Sequence, residues 1–424
     1  DLYYAEYTGD IYPDVLYGRI SVANVGELEA VVRKTIEYEQ YNMPDKANLD
    51  KALLVAGRET REPAPTVVNG QLNYLKTELV EWFDMDTACF YNPTSYDSKD
   101  DIVSHLSANP GFISYSGHCT AAGWMYPNIG KSELDTFSQR GNYSFWVNTC
   151  CKSSNYTIGM CFGEALLRKP NAGAVGVVGA ANETLWNEDY YWTMGAKYPF
   201  SLWPEYNRFA LGAFDRLFHA RELNLEDYVV NVAQMVQAGN MAVAESGSPY
   251  ENYYWEIYNV LGDPSLMPYI GSPQPITLTL DDTVHVGDVI VGCSGTPLSR
   301  VAIMQDTVLL GTTMLDENGR GTLRLVRPIT NAEVVLTTTA QYHIPLIDTI
   351  YVMPNSGARV VLTDYSFRDT LGNVIATVQP NQVVCLYGRL HNVGSSVAYG
   401  ITFDMDNAVG VDSVWQDIVL AVIY

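Results

Sequence analysis

One run, Phe145-Trp146-Val147-Asn148-Thr149-Cys150-Cys151, constrains this chain more than any other. It is short and apolar, and Lys152-Ser153-Ser154-Asn155 breaks it, so it reads as a buried strand with two sulfurs at its carboxyl end. In open α/β sheets, ligands bind at that end. A second stretch, Phe112-Ile113-Ser114-Tyr115-Ser116-Gly117-His118, has the same form and finishes in a histidine. If the two strands are neighbours, an imidazole meets a thiol. The imidazole stabilises the thiolate, which is the nucleophilic form of cysteine. The pattern therefore predicts the chemistry of a cysteine peptidase.

Composition narrows the alternatives. At 424 residues the chain is too long for one ordinary core, so two or three domains are expected. Hydrophobic residues make up 47% and charged residues 17%, a balance that suits folded domains. The formal net charge of −23 argues against nucleic acid and anionic membranes as partners, because both call for a basic patch. No apolar run is long enough to span a bilayer as a helix. Asp1-Leu2-Tyr3-Tyr4 has neither a basic nor an apolar leader region, as expected of a mature or processed product. Seven cysteines without repeated spacing do not read as a disulfide scaffold or as a metal-binding pattern. Cys89, Cys161, Cys293 and Cys385 read as small buried hydrophobes.

The order of elements gives the fold class. Asn24 is placed to cap a helix from Val25 to about Tyr41. Ala52 to Gly57 is a continuous apolar strand, followed by a helix from Asn73 to Phe83 and the strand ending at His118. A helix over Ser132 to Arg140 precedes the cysteine strand. A helix over Cys161 to Lys169 and a strand over Ala172 to Ala180 follow it. The alternation predicts an α/β sandwich with helices on both faces of a parallel-rich sheet, over residues 1–271. An aromatic acidic loop begins at Trp186; helices are then expected over Arg208 to Leu223, Glu226 to Ser246 and Tyr253 to Leu261. After Ser272-Pro273-Gln274-Pro275, short β-rich runs over 276–352 predict an all-β sandwich of immunoglobulin type. A second β segment covers 355–424, with strands near Arg359, Val383 and Gly400, and has little room for a full sandwich.

Several motifs together give a more specific result. Thr149-Cys150-Cys151, Cys161-Phe162-Gly163-Glu164-Ala165, Trp186 to Trp192, Tyr254-Trp255-Glu256 and Val260 to Ser265 resemble the gingipain family of cysteine peptidases, from Asp1 to about Val352. The lysine-specific members are the most similar. The resemblance implies a caspase-like αβα fold and peptide hydrolysis through a thioester. It assigns Cys151 as nucleophile, a choice over Cys150 that the residues alone leave open, and His118 as the catalytic histidine. It places Glu59 as the acid that orients His118, although Arg58 is equally placed to pair with Glu59. The oxyanion hole falls to backbone N–H groups at Cys151 and Cys119. The family carries glycine after Gly-His where this chain has Cys119, and the extra thiol beside the site leaves room for a regulatory disulfide.

The resemblance also implies a substrate pocket and a metal. Asp189 matches the acid at the base of a lysine pocket, with Trp186 as a wall and Ser116 as a hydroxyl partner. A buried carboxylate is costly without a cation, so it selects a basic side chain. The residue-level alternative makes Glu188 and Asp189 a solvated helix start. Asn69 to Gln71 lack the acid of arginine-specific relatives, which favours lysine. Structural calcium is expected at Asp10, the Tyr12 carbonyl and Asp14, and again at Glu164 with the Tyr156 carbonyl; no redox cofactor is implied. The expected partners are protein or peptide substrates with basic residues and a separate N-terminal subdomain chain. The expected location is secreted or on a bacterial cell surface. Two other readings fit parts of the chain: a transpeptidase like the type IX secretion sortase, and a catalytically inactive adhesin working through its β domains.

Overall fold

The structure is a computed structural model that describes residues 1–196, 199–221, 223–379 and 382–401. The chain divides into two compact units, Asp1–Gln274 and Pro275–Tyr424.

The first unit is built on a six-stranded sheet. Its strands are β1 (Lys51–Ala56), β2 (Asp86–Phe90), β3 (Phe112–Ser116), β4 (Ser144–Thr149), β5 (Ala174–Ala180) and β6 (Tyr258–Gly262). Their spatial order is β2-β1-β3-β4-β5-β6. The first five run parallel, and β6 is antiparallel to β5. Every residue of β3, β4, β5 and β6 is buried. That explains their unbroken apolar character, since a strand covered on both faces needs no polar alternation. The helices are α1 (Val25–Glu39), α2 (Ala64–Phe83), α3 (Lys99–Ser107), α4 (Phe162–Arg168), α5 (Trp186–Met194), α6 (Ala213–Phe218), α7 (Val232–Glu245) and α8 (Glu251–Ile257). Val31 of α1, Ile102 of α3 and Phe162 of α4 share one core with Ile113, Tyr115 and Trp146. Phe112, on the other face of β3, meets Phe214 and Phe218 of α6 edge-on.

Several elements differ from expectation. Asn24 does cap α1, accepting from the Glu27 N–H at 3.0 Å, but the helix ends at Glu39 and Tyr41 takes a left-handed φ of 54°. α2 starts nine residues before Asn73, at Ala64, with a proline in its first turn where a missing N–H costs nothing. The stretch Ser132 to Arg140 forms only a 3₁₀ turn, Glu133–Thr136. Among the described residues of Arg208 to Leu223, only Ala213–Phe218 is helical. The helix expected from Tyr253 to Leu261 ends at Ile257, and Tyr258–Gly262 instead closes the sheet as β6. β-branched and aromatic residues in a five-residue run fit either state, and pairing with β5 decides. Trp186 to Trp192 is helix α5, not a loop.

Among the described residues of the second unit, seven strands form two antiparallel sheets. Leu278–Leu280, Ile290–Gly295 and Arg320–Arg324 form one; Val308–Met314, Arg300–Gln305, Glu333–Thr339 and Leu346–Tyr351 form the other. Alternate residues such as Val301, Ile303, Val334 and Leu336 point into a shared core with Val291 and Leu323. Val360–Arg368 and Cys385–Asn392 then pair as an antiparallel ribbon. Half of the strand expected at Gly400 to Phe403, Thr402 and Phe403, lies outside the described residues.

Candidate active site

Strand register assembles the site. Ala56, Ser116 and Thr149 are in-register partners across β1, β3 and β4. Glu59 lies three residues beyond Ala56, while His118 lies two beyond Ser116 and Cys151 two beyond Thr149. Three chemically different side chains are thereby delivered to the carboxyl edge of three adjacent parallel strands, which are spaced about 4.8 Å apart. Gly57 and Gly117 make the crowding possible. A Cβ on either would come within 2.7 Å of the Tyr115 hydroxyl. That hydroxyl donates to the His118 carbonyl at 3.0 Å, and the Met125 N–H donates to the same oxygen at 2.9 Å. The backbone at His118 is therefore pinned from two sides.

Glu59 and His118 are joined, Oε2 to Nε2, at 3.0 Å. The other carboxylate oxygen accepts the N–H groups of Thr60 at 2.6 Å and Arg61 at 3.0 Å. The hydrogen bond from His118, with the two backbone donors, holds the Glu59 carboxyl down at about 2. Arg58 does not pair with Glu59; its guanidinium lies over the Tyr96 ring, 4.9 Å from the centroid. With Nε2 directed at Glu59, the neutral imidazole carries its lone pair on Nδ1. The Trp186 ring meets the imidazole edge-to-face at 5.1 Å.

Cys151 is half-buried and its thiol is free. The Thr184 N–H donates to its Sγ at 3.4 Å. Cys150 and Cys119 are not free thiols: they form a disulfide. This bond joins the residue after His118 to the residue before Cys151, so the extra thiol at Cys119 is taken up in a disulfide beside the site. Cys161 and Cys293 are buried as expected; Cys385 is exposed, and Cys89 is half-buried.

Asp189 is buried at 2% exposure, so the solvated helix start is excluded. Its Oδ1 accepts the hydroxyls of Tyr258 at 2.7 Å and Tyr254 at 2.9 Å. Burial pushes its carboxyl up to about 7. The two tyrosines come from α8 and β6, and no sequence motif had paired them with Asp189. The signal available was their helix-to-strand spacing, hidden by reading the stretch as one helix. Ser116 is buried with its Oγ unpartnered, and Asp189 draws its hydroxyl partners elsewhere.

The carboxylates expected to bind calcium have protein partners in the structure. The Glu164 carboxylate already accepts from Ser21 Oγ at 2.6 Å, Arg168 at 2.6 Å and the Cys161 N–H at 2.7 Å. Arg168 neutralises its charge, and its bond to the Cys161 N–H helps cap α4. The Tyr156 ring lies beneath the Arg19 guanidinium, at 4.4 Å. In the first loop, Asp14 accepts the Thr8 N–H at 3.1 Å and Asp10 accepts the Tyr12 N–H at 2.7 Å. Among the described residues no three His, Cys, Asp or Glu side chains converge.

Residues 1–269 match the model of peptidase family C25. The chain belongs to that family. Lys-gingipain of Porphyromonas gingivalis is 30% identical over 362 residues, covering 82% of this chain and 20% of the relative. A second Lys-gingipain sequence from the same species is 31% identical over 366 residues, covering 83% of this chain and 20% of that one. The chain thus spans about a fifth of the length of these relatives. A solved protease superposes with a TM-score of 0.73 at 28% identity, over 83% of this chain and 78% of the other. The Arg-specific cysteine proteinase gingipain R superposes with a TM-score of 0.68 at 17% identity, again over 83% and 78%. The expected gingipain relationship is thereby shown, and the parallel-rich sheet with helices on both faces agrees with a caspase-like fold. Cys119 lies inside the C25 match, so the disulfide belongs to the family region of the chain. No helix among the described residues is long and apolar enough to cross a membrane.

Proposed function

We propose that this C25 member is a cysteine endopeptidase that cleaves after basic residues, with lysine preferred. The observation that carries the reading is the equal register of β1, β3 and β4, which brings Glu59, His118 and Cys151 to one edge. In this mechanism His118 Nδ1 takes the proton from Cys151 Sγ. The thiolate attacks the scissile carbonyl carbon, forming an S–C bond and a tetrahedral oxyanion. Backbone N–H groups at Cys151 and Cys119 donate to that oxyanion. The C–N bond then breaks, and His118 gives its proton to the departing amine. Water attacks the thioester with His118 again as base, releasing the acid and restoring the thiol. Glu59 stays ionised throughout and keeps the imidazole in the tautomer with Nδ1 free.

Lysine preference rests on Asp189. A substrate ammonium reaching it would lower the cost of its charge, and the two tyrosine hydroxyls hold the carboxylate in place. Trp186, edge-on to His118, serves as the wall between pocket and dyad. A secreted or surface location in a bacterium belongs to the same reading, and a stable disulfide agrees with an oxidising compartment. We also read the second unit as immunoglobulin-like. Its first, second and fifth strands share one sheet and the other four share the second.

The test is turnover of paired peptides that differ only in Lys or Arg before the scissile bond. Lys-selective cleavage is expected in the wild type, with a loss of about 10⁴-fold or more in Cys151→Ala. Turnover that survives in Cys151→Ala would remove Cys151 as nucleophile.

A further inference from the structure

The strand order fixes more than the dyad. Along the carboxyl edge of the sheet, β2 is followed by Tyr96, β1 by Arg58 and Glu59, β3 by His118, β4 by Cys151, and β5 by Thr184, Trp186 and Asp189. His118 therefore stands between Cys151 and the Tyr96 end. On that side lies a cleft of about 400 Å³, lined by Tyr96, Thr120, Gly123, Trp124, Met125 and Tyr126. Tyr126 meets the His118 imidazole edge-to-face at 6.1 Å, and Tyr96 lies 6.0 Å from Tyr126. Tyr96, Met125 and Tyr126 are 41%, 37% and 39% exposed, so their apolar surfaces are open to a ligand.

Acyl transfer gives this cleft a direction. The carbonyl carbon must sit at Cys151, and the leaving nitrogen must sit at the group that protonates it, His118. With the basic side chain toward Asp189, the chain beyond the scissile bond has to continue past His118, toward Tyr126 and Tyr96. We propose that this cleft is the leaving-group subsite and that it selects substrates with an apolar or aromatic residue just after the scissile bond. The inference rests on the peptidase reading above. Its lining side chains are rings, a thioether, a methyl, a small hydroxyl and the Asn128 carboxamide, with no charged group among them. The nearby cation, Arg58, is stacked on Tyr96. Burial of one apolar side chain against two rings discriminates by about ten- to a hundredfold in kcat/KM. The hairpin that carries the cleft begins at Cys119, and its disulfide to Cys150 ties the subsite to the nucleophile strand.

The experiment uses the full chain and peptides with Lys fixed before the scissile bond, followed by Leu, Phe, Gly, Asp or Glu. Lys methyl ester, which has no residue after the reacting carbonyl, is run in parallel. The wild type should prefer Leu and Phe over Gly and Asp by tenfold or more in kcat/KM. Tyr96→Ala should flatten that preference. Met125→Lys should turn it toward Asp and Glu, a gain that a misfolded variant does not produce. A flat series in the wild type, or a preference unchanged in both variants, overturns the subsite. Failure of the wild type to turn over even the methyl ester would instead overturn the peptidase reading on which the subsite depends.

Discussion

At the scale of single residues, Asp189 is the group whose chemistry the fold changes most. Its carboxyl is raised to about 7 because it is buried beside Tyr254 and Tyr258, with a hydroxyl pair instead of a cation for company. The unfolded chain releases this proton near the ordinary aspartate value, about 4. Between about pH 4 and pH 7 the folded state keeps a proton that the unfolded state has lost, so stability from this group falls as pH rises. Asp189→Asn should remove that part of the decline. Thermal melts of both proteins at pH 4.5 and pH 7.5 check it: parallel pH dependences would sink the assignment. Glu59 behaves in the opposite sense, since its lowered value keeps it charged and its contribution is lost only as pH falls below about 4.5. Glu59 was legible in the sequence as an acid just beyond a strand end, and Asp189 through the family resemblance. The partners of Asp189 were not: it pairs across 65 and 69 residues of chain, and nothing local encodes that contact.

At the scale of elements, the two strand ends are joined twice, by the β3–β4 ladder and by the Cys119–Cys150 bond. The bond closes a loop with a sequence separation of 31 residues. Loop-closure entropy puts its contribution at about 3–4 kcal/mol. Replacing both cysteines, as Cys119→Ala with Cys150→Ala, should lower stability by that order in denaturant melts while leaving Cys151 as the one thiol at the site. An unchanged unfolding midpoint would show that the ladder alone holds the two ends. The pairing escaped sequence reading because 119 and 150 are remote in the chain, and their spacing repeats nothing. The fully buried strands were read well, since burial on both faces leaves a continuous apolar signature. The helix around Arg208 and β6 were misread because a short apolar run carries no period, so tertiary pairing chooses its state.

At the scale of the whole molecule, every residue proposed for chemistry lies in the unit Asp1–Gln274, which has its own sheet and core. A chain ending at Gln274 should therefore retain Lys-selective turnover, with kcat/KM within roughly tenfold of the full chain; one tenfold is about 1.4 kcal/mol of transition-state stabilisation. Folded but inactive protein, judged by circular dichroism, would give the β unit a part in catalysis. The net charge of −23 sets no single contact, but it disfavours nucleic acid and anionic surfaces across the molecule. By itself the sequence determined the layered α/β unit, the β-rich unit after it and the His and Cys strand ends, because periodicity, burial signatures and short motifs are local properties of a chain. Only the tertiary structure decided that Glu59 pairs with His118 and not Arg58, that Glu164 is already neutralised by Arg168, that Cys119 is bonded to Cys150, and that an aromatic cleft adjoins the imidazole. Each of these depends on strand order and register, which bring together residues that no spacing along the chain relates.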